Sequence, residues 1–182
     1  MKGYYRLHVA GLERELPICP LNEHVSIAGF VIFGDVELTK ACATELCKKI
    51  PEHDYMITAE AKGIPLVYEM ANILQEKKHF IARKGLKLYM KDPISVSVRS
   101  ITTDRVQTLY LDKTDADMMK NKRIVIVDDV ISTGESLSAL EKLVEDAGGT
   151  IVGRMAILAE GDAVKRDDII YLEELPLIFQ NK

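Results

Sequence analysis

The chain has little that would mark a secreted, membrane-bound or metal-built protein. Its three cysteines, Cys19, Cys42 and Cys47, are odd in number and show no Cys-x-x-Cys spacing. That pattern gives no disulfide framework and no metal pair, so free, structural thiols in a reducing compartment are expected. No apolar run approaches the roughly 20 residues of a membrane helix. The first residues, with Tyr4, Tyr5, Arg6 and His8, lack a signal-peptide core. Positive charge is not in excess: 24 Lys and Arg against 28 Asp and Glu give a net charge of −4. Such a balance argues against broad binding to nucleic acid or to an anionic membrane. His8, His24, His53 and His79 occur singly, away from metal-ligand or triad spacing, and read as structural. Neither Gly-x-x-x-x-Gly-Lys-Ser/Thr nor Gly-x-Gly-x-x-Gly occurs, so a nucleoside-triphosphatase loop and a dinucleotide fold have no support. The expectation is a cytoplasmic protein whose 182 residues, 47% hydrophobic, fill one domain with a full core.

What is present is concentrated in residues 124–136, Ile-Val-Ile-Val-Asp-Asp-Val-Ile-Ser-Thr-Gly-Glu-Ser. The β-branched run Ile124 to Val127 predicts a strand buried on both faces of a parallel sheet. Asp128 and Asp129 end that strand, and a helix opens near Gly134 or Glu135. Ligands of open α/β sheets bind beyond the carboxyl ends of strands, where this turn would lie. Ser132, Thr133 and Ser136 offer hydroxyls, Gly134 allows close approach, and a helix start presents free N–H groups, a combination suited to a phosphate monoester. Carboxylates accept hydrogen bonds only from hydroxyls or cations. A ligand with a phosphate at one end and a diol nearby, such as a ribose 5-phosphate, satisfies both halves.

The remaining pattern alternates strand and helix. Gly34-Asp35 predicts a helix running to about Ile50, with Leu38, Cys42 and Leu46 on one face. A strand at Tyr55–Thr58 precedes a helix with Pro65 in its first turn and Leu66, Met70, Ile73 and Leu74 along it. Phe80–Ala82 is a further strand; residues 94–100 and 105–112 alternate as a hairpin would. After the acidic strand, a helix carrying Leu137, Leu140, Leu143 and Val144 stops at Gly148-Gly149. Thr150–Ala159 is a long strand, and residues 167–179 add one or two more. The Glu-Leu-Pro segment at 174–176 and the charged turn at 165–168 read as surface. The order predicts an α/β fold in a single domain, residues 1–182. A central, mostly parallel twisted sheet is flanked by helices, and a small hood comes from about 1–33 and 160–182.

The run at 124–136 resembles the phosphoribosyl pyrophosphate (PRPP) signature of type I phosphoribosyltransferases: a hydrophobic strand, two acidic residues, two apolar residues, a small residue, then Thr-Gly-x-Ser/Thr. Residues 59–65, Ala-Glu-Ala-Lys-Gly-Ile-Pro, resemble the pyrophosphate loop of the adenine-type members, with Lys62 where arginine is usual. Lysine keeps the charge but loses the planar fork. Arg83-Lys84 resembles the Arg-Lys pair of the same subgroup. The resemblance covers about residues 54–160 and implies transfer of 5-phosphoribosyl from PRPP to a purine, releasing pyrophosphate. By that resemblance Asp128 and Asp129 hold the ribose diol and are the catalytic pair. Ser132, Thr133, Gly134, Glu135 and Ser136 hold the 5-phosphate. Ala61, Lys62, Gly63, Lys84 and Lys87 hold pyrophosphate, and Arg83 lies near the base. Mg²⁺ is implied as cofactor, held mainly by PRPP and through water by Asp128 and Asp129, with no direct protein ligand.

The loop from about Gly85 to Arg105 corresponds to the family's mobile loop. Many adenine enzymes carry a Glu-Tyr pair there; this chain reads Arg99-Ser100-Ile101. Hypoxanthine and guanine enzymes commonly have an aspartate where this chain has Ser132, so the resemblance points to adenine. A hypoxanthine or xanthine enzyme is the alternative, and a non-catalytic PRPP-binding regulator a further one. PRPP and a purine base are the implied partners, without nucleic acid or membrane, and a homodimer is implied.

Overall fold

Residues 123–131 form the middle strand of the central sheet, and both of its faces are covered. The structure, a computed structural model, describes residues 3–99 and 106–179. In chain order the N-terminal part holds strands β1 (Tyr4–Val9), β2 (Leu12–Pro20) and β3 (Val25–Ala28), then helix α1 (Val36–Cys47). The central part holds β4 (Tyr55–Ala59), α2 (Gly63–Ile73), β5 (Phe80–Ala82), β6 (Ile94–Arg99), β7 (Val106–Leu111) and α3 (Lys113–Met119). Then come β8 (Arg123–Ile131), α4 (Glu135–Asp146), β9 (Thr150–Glu160), β10 (Ile170–Leu175) and β11 (Leu177–Phe179).

The central sheet has the order β10-β9-β8-β4-β5, with every pairing parallel. This is the predicted α/β architecture. Strand β8 explains it locally. Ile124 and Ile126 pack into a core with Met119, Leu137 and Leu140, while Val125 and Val127 pack into the opposite core with Leu38, Leu66 and Met70. A strand covered on both faces has no solvent side to alternate toward, hence its unbroken apolar run. Fully burying a side chain of this size contributes about 1.5–3 kcal/mol.

A second sheet, β1-β2-β3-β11, is antiparallel throughout. Its Leu7, Val9 and Leu16 share the core of α1 and α2. Of the C-terminal segment only β11 joins this sheet, because β10 pairs with β9 and extends the central one. The hairpin β6–β7 pairs antiparallel from Ile94↔Leu111 to Arg99↔Val106, as the alternation predicted.

Several expectations are corrected. Strand β8 runs through both aspartates to Ile131, because β9 pairs with it as far as Ala159. The helix expected to reach Ile50 ends at Cys47, whereas α2 opens at Gly63 with Pro65 in its first turn, as expected. Leu66 and Met70 of α2 are buried, and Ile73 is 39% exposed. Helix α3, capped by the Asp112 side chain accepting from Thr114 N, was not anticipated, nor were the three N-terminal strands. Leu175 of the supposed surface segment is buried. Residues 100–105, which include Ser100 and Ile101 of the loop substitution, lie outside the described residues. Cys19, Cys42 and Cys47 are free thiols, with Cys42 buried. His53 is structural, its ring nitrogens bonded to Pro51 O and the Glu76 carboxylate.

Candidate active site

The chemistry converges where β4 and β8 end. Asp128 Oδ1 accepts from the Asp129 backbone N–H at 2.9 Å. Asp129 is 3% exposed, with Lys62 Nζ 2.7 Å from its Oδ2. The same oxygen, sealed from solvent, has no aligned hydrogen-bond donor. Burial, and then the charge of Asp129, push the Asp128 carboxyl well above the usual carboxylate range. Two carboxylates this close resist ionising together.

Beyond them the chain turns at Ser132–Gly134. Gly134 has φ 80° and is the residue before α4, a left-handed conformation that glycine adopts without steric cost. Its carbonyl accepts from Ser138 N at 2.7 Å, closing the first turn. The N–H groups that start a helix have no partner within it and face outward. Asp128, Val130, Ile131, Ser132, Thr133, Gly134, Ser136 and Leu137 line a cleft of ≈ 260 Å³ here. Ser136 Oγ donates to Gln107 Oε1 at 3.4 Å, tying the turn to the β6–β7 hairpin.

A second cleft, ≈ 420 Å³, opens against the first and shares Asp128, Val130 and Ser136 with it. Ala59, Glu60, Ala61, Lys62, Lys84 and Asp129 complete its wall. The Glu60–Ala61 peptide is cis. Gly63 is buried behind this loop against Thr58 and Asp128. Lys84 is exposed at the mouth, while Arg83 and Lys87 are not among the lining residues of either cleft.

Arg83 is instead occupied. Its Nη2 donates to Glu60 Oε1 at 3.1 Å and its Nη1 to Tyr89 Oη at 2.6 Å. Glu60 Oε2 accepts from Lys84 N at 2.9 Å. The Arg83 guanidinium, and then the Lys84 amide, hold the Glu60 carboxyl below the usual range. Glu60 thus locks the loop at the end of β4 to the end of β5. Sequence reasoning missed this role. A glutamate before Ala-Lys-Gly is the only signal, and the pairing with Arg83 needs β4 and β5 to be neighbours. The Lys62–Asp129 pair was missed for the same reason. The turn at 165–168 is not merely surface either, since Arg166 reaches the Gly134 turn.

The class this defines is an α/β protein with a two-part polar cleft at the carboxyl ends of parallel strands, one part floored by a helix start and the other walled by lysines. The family model described as "Phosphoribosyl transferase domain" matches residues 37–179. The chain belongs to that family. It is 32% identical over 148 residues to the adenine phosphoribosyltransferase of Acetivibrio thermocellus, spanning 77% of this chain and 80% of that protein. It is 31% identical over 159 residues to the hypoxanthine/guanine phosphoribosyltransferase of Methanococcus maripaludis, spanning 83% and 82%. The crystal structure of adenine phosphoribosyltransferase from Thermoanaerobacter pseudethanolicus shares its fold, with TM-score 0.71, 22% identity, and coverage of 87% of this chain and 95% of that one.

Proposed function

We propose that the protein is a purine phosphoribosyltransferase, joining the 5-phosphoribosyl group of PRPP to a ring nitrogen of a purine, adenine foremost, and releasing pyrophosphate. The observation that carries this reading is the continuity of the two clefts across Asp128. One part offers hydroxyls and a helix start to a phosphate, the other offers Lys62 and Lys84 to a diphosphate, and carboxylates lie between them for a diol. Ser132–Ser136 bind the 5-phosphate. Lys62, Lys84 and the backbone at Ala61 and Gly63 bind pyrophosphate and stabilise its negative charge as it leaves, with Lys87 and Arg83 farther out. Asp128 and Asp129 orient the ribose and place negative potential beside the positively charged anomeric carbon.

Mg²⁺ fits this donor set through water, at Asp128, which lines both clefts; no cluster of three ligating side chains occurs among the described residues. Bound with PRPP, the cation would neutralise oxygens of the leaving group. The small sheet serves as the hood of one domain with the rest. A groove lined by Ile32, Val36, Pro65 and Tyr68 leaves Val36 63% and Tyr68 64% exposed, which supports a homodimer. No described helix is long and apolar enough to cross a membrane, in keeping with a cytoplasmic setting.

A base panel tests the reading. With PRPP and Mg²⁺, pyrophosphate release is expected to be fastest with adenine, then hypoxanthine, guanine or xanthine, and absent with orotate and uracil. A 6-oxopurine preferred ten-fold or more in kcat/KM overturns the adenine assignment but keeps the enzyme class, in line with the archaeal relatives. Release with no purine sinks the proposal altogether. Lys84→Ala is expected to weaken PRPP and pyrophosphate by about 10-fold, the scale of one lost charged hydrogen bond, while AMP is little affected. Equal losses for pyrophosphate and AMP would remove Lys84 from the leaving-group site.

A further inference from the structure

Residues Ser132–Ser136 themselves offer hydroxyls and amides but no cationic side chain. A phosphate monoester near neutral pH brings close to two negative charges. Among the described residues, a cation from elsewhere in the sequence reaches this turn. Arg166 follows the 3-10 turn Gly161–Lys165 after β9, and a Cβ placed on Gly134 would stand 3.7 Å from its Nη1.

The guanidinium is held by its other edge. Nε donates to Asp168 Oδ1 at 2.9 Å and Nη2 to Asp168 Oδ2 at 2.8 Å, with Glu141 Oε1 3.7 Å from Nη2. The fork is planar and rigid, so fixing Nε and Nη2 also fixes the direction of Nη1. Among the described residues Nη1 has no hydrogen-bond acceptor, and the side chain is 36% exposed, open to a ligand. We propose that Arg166 is a further binding residue for the sugar phosphate, its Nη1 edge presented to the Gly134 turn by the grip of Asp168. This rests on reading Ser132–Ser136 as the 5-phosphate site. Donation from Nη1 would bring a positive charge to the bound phosphate. Asp168 acts through Arg166 and is a positioning residue.

Calorimetric titration of the full chain with ribose 5-phosphate and, separately, with pyrophosphate tests this. Arg166→Ala is expected to weaken ribose 5-phosphate by roughly 10-fold and to leave pyrophosphate unchanged, with Arg166→Lys between it and the unaltered protein. Asp168→Asn, which keeps the guanidinium but loosens its orientation, should lose a smaller factor for ribose 5-phosphate only. A purely structural role would lower both ligands together, through disturbance of α4, and that result overturns the inference. So does an Arg166→Ala protein that binds ribose 5-phosphate as tightly as the unaltered one. If the unaltered protein binds no ribose 5-phosphate, the phosphate turn itself is misread and the inference falls with it.

Discussion

Replacing both carboxylates, Asp128→Asn with Asp129→Asn, is expected to lower kcat/KM for PRPP by roughly 10²- to 10⁴-fold, the range seen when groups facing a developing charge are removed. The fold should survive, and stability offers the discriminating readout. Burial and Asp129 raise the Asp128 carboxyl from the usual aspartate range to about 7, so the folded state holds that proton more tightly than the unfolded chain does. Stability from this group is therefore fully present below the unfolded value and is lost as pH rises through the raised one. At neutral pH the aspartate works against folding, and Asp128→Asn should hold or raise Tm while activity collapses. On the proposed diol contact, PRPP with Mg²⁺ would need the ionised form, so its affinity in the unaltered protein should climb as pH rises through that raised value. The asparagine variant should lack the climb. Calorimetry giving near-normal PRPP affinity in the double variant would sink the diol assignment, and a fall in Tm matching the fall in activity would reduce it to a folding effect.

The same aspartates show what the chain made legible and what it hid. The apolar run before them was readable as a doubly covered strand because no residue from Ile124 to Val127 needs solvent. The strand's end was not. Polar residues at 128–129 read as a turn, yet β9 continues to pair beside them to Ala159, and a single sequence does not display its strand partner. Helix α3 escaped for a related reason: seven residues, three of them charged, with only Ala116 and Met119 buried, leave too little periodicity to read. The three N-terminal strands carry interspersed charges and Pro17, and they take their order from packing on α1 and α2 rather than from an obvious local pattern. Within the site, residues adjacent in sequence were found together, as in Ser132–Ser136. Pairs formed across the sheet were not. Glu60 meets Arg83 over 23 positions, and Lys62 meets Asp129 between two strand ends. Spacing alone predicts neither.

Gly63→Ala should be among the most damaging single substitutions in the chain, although it adds one methyl group. A Cβ at this position would stand 2.1 Å from Thr58 Oγ1 and 3.4 Å from Asp128 Oδ1. The obstacle is space, since Gly63 is not among the glycines of positive φ. Thr58 is fully buried, and its β-branched side chain has few rotamers to escape into. The start of α2 would have to move, carrying Lys62 away from Asp129 and tilting the loop at 60–62 against Lys84. Overpacking of this kind costs about 1–3 kcal/mol. Displacing a substrate-holding loop by an ångström can cost on the order of 10²-fold in rate. The cause can be isolated by relieving it: Thr58→Ala removes the hydroxyl and leaves Thr58 Cβ 3.3 Å from the new methyl, tight but tolerable. Gly63→Ala with Thr58→Ala should therefore recover most of the lost Tm, and pyrophosphate affinity should return with it if the loop is positioned by this contact. Recovery of Tm without recovery of pyrophosphate binding would mean that Gly63 is needed for the ligand's own approach to the backbone. A Gly63→Ala protein with unaltered rate and Tm would mean that the close packing of β4 on α2 does not position the cleft.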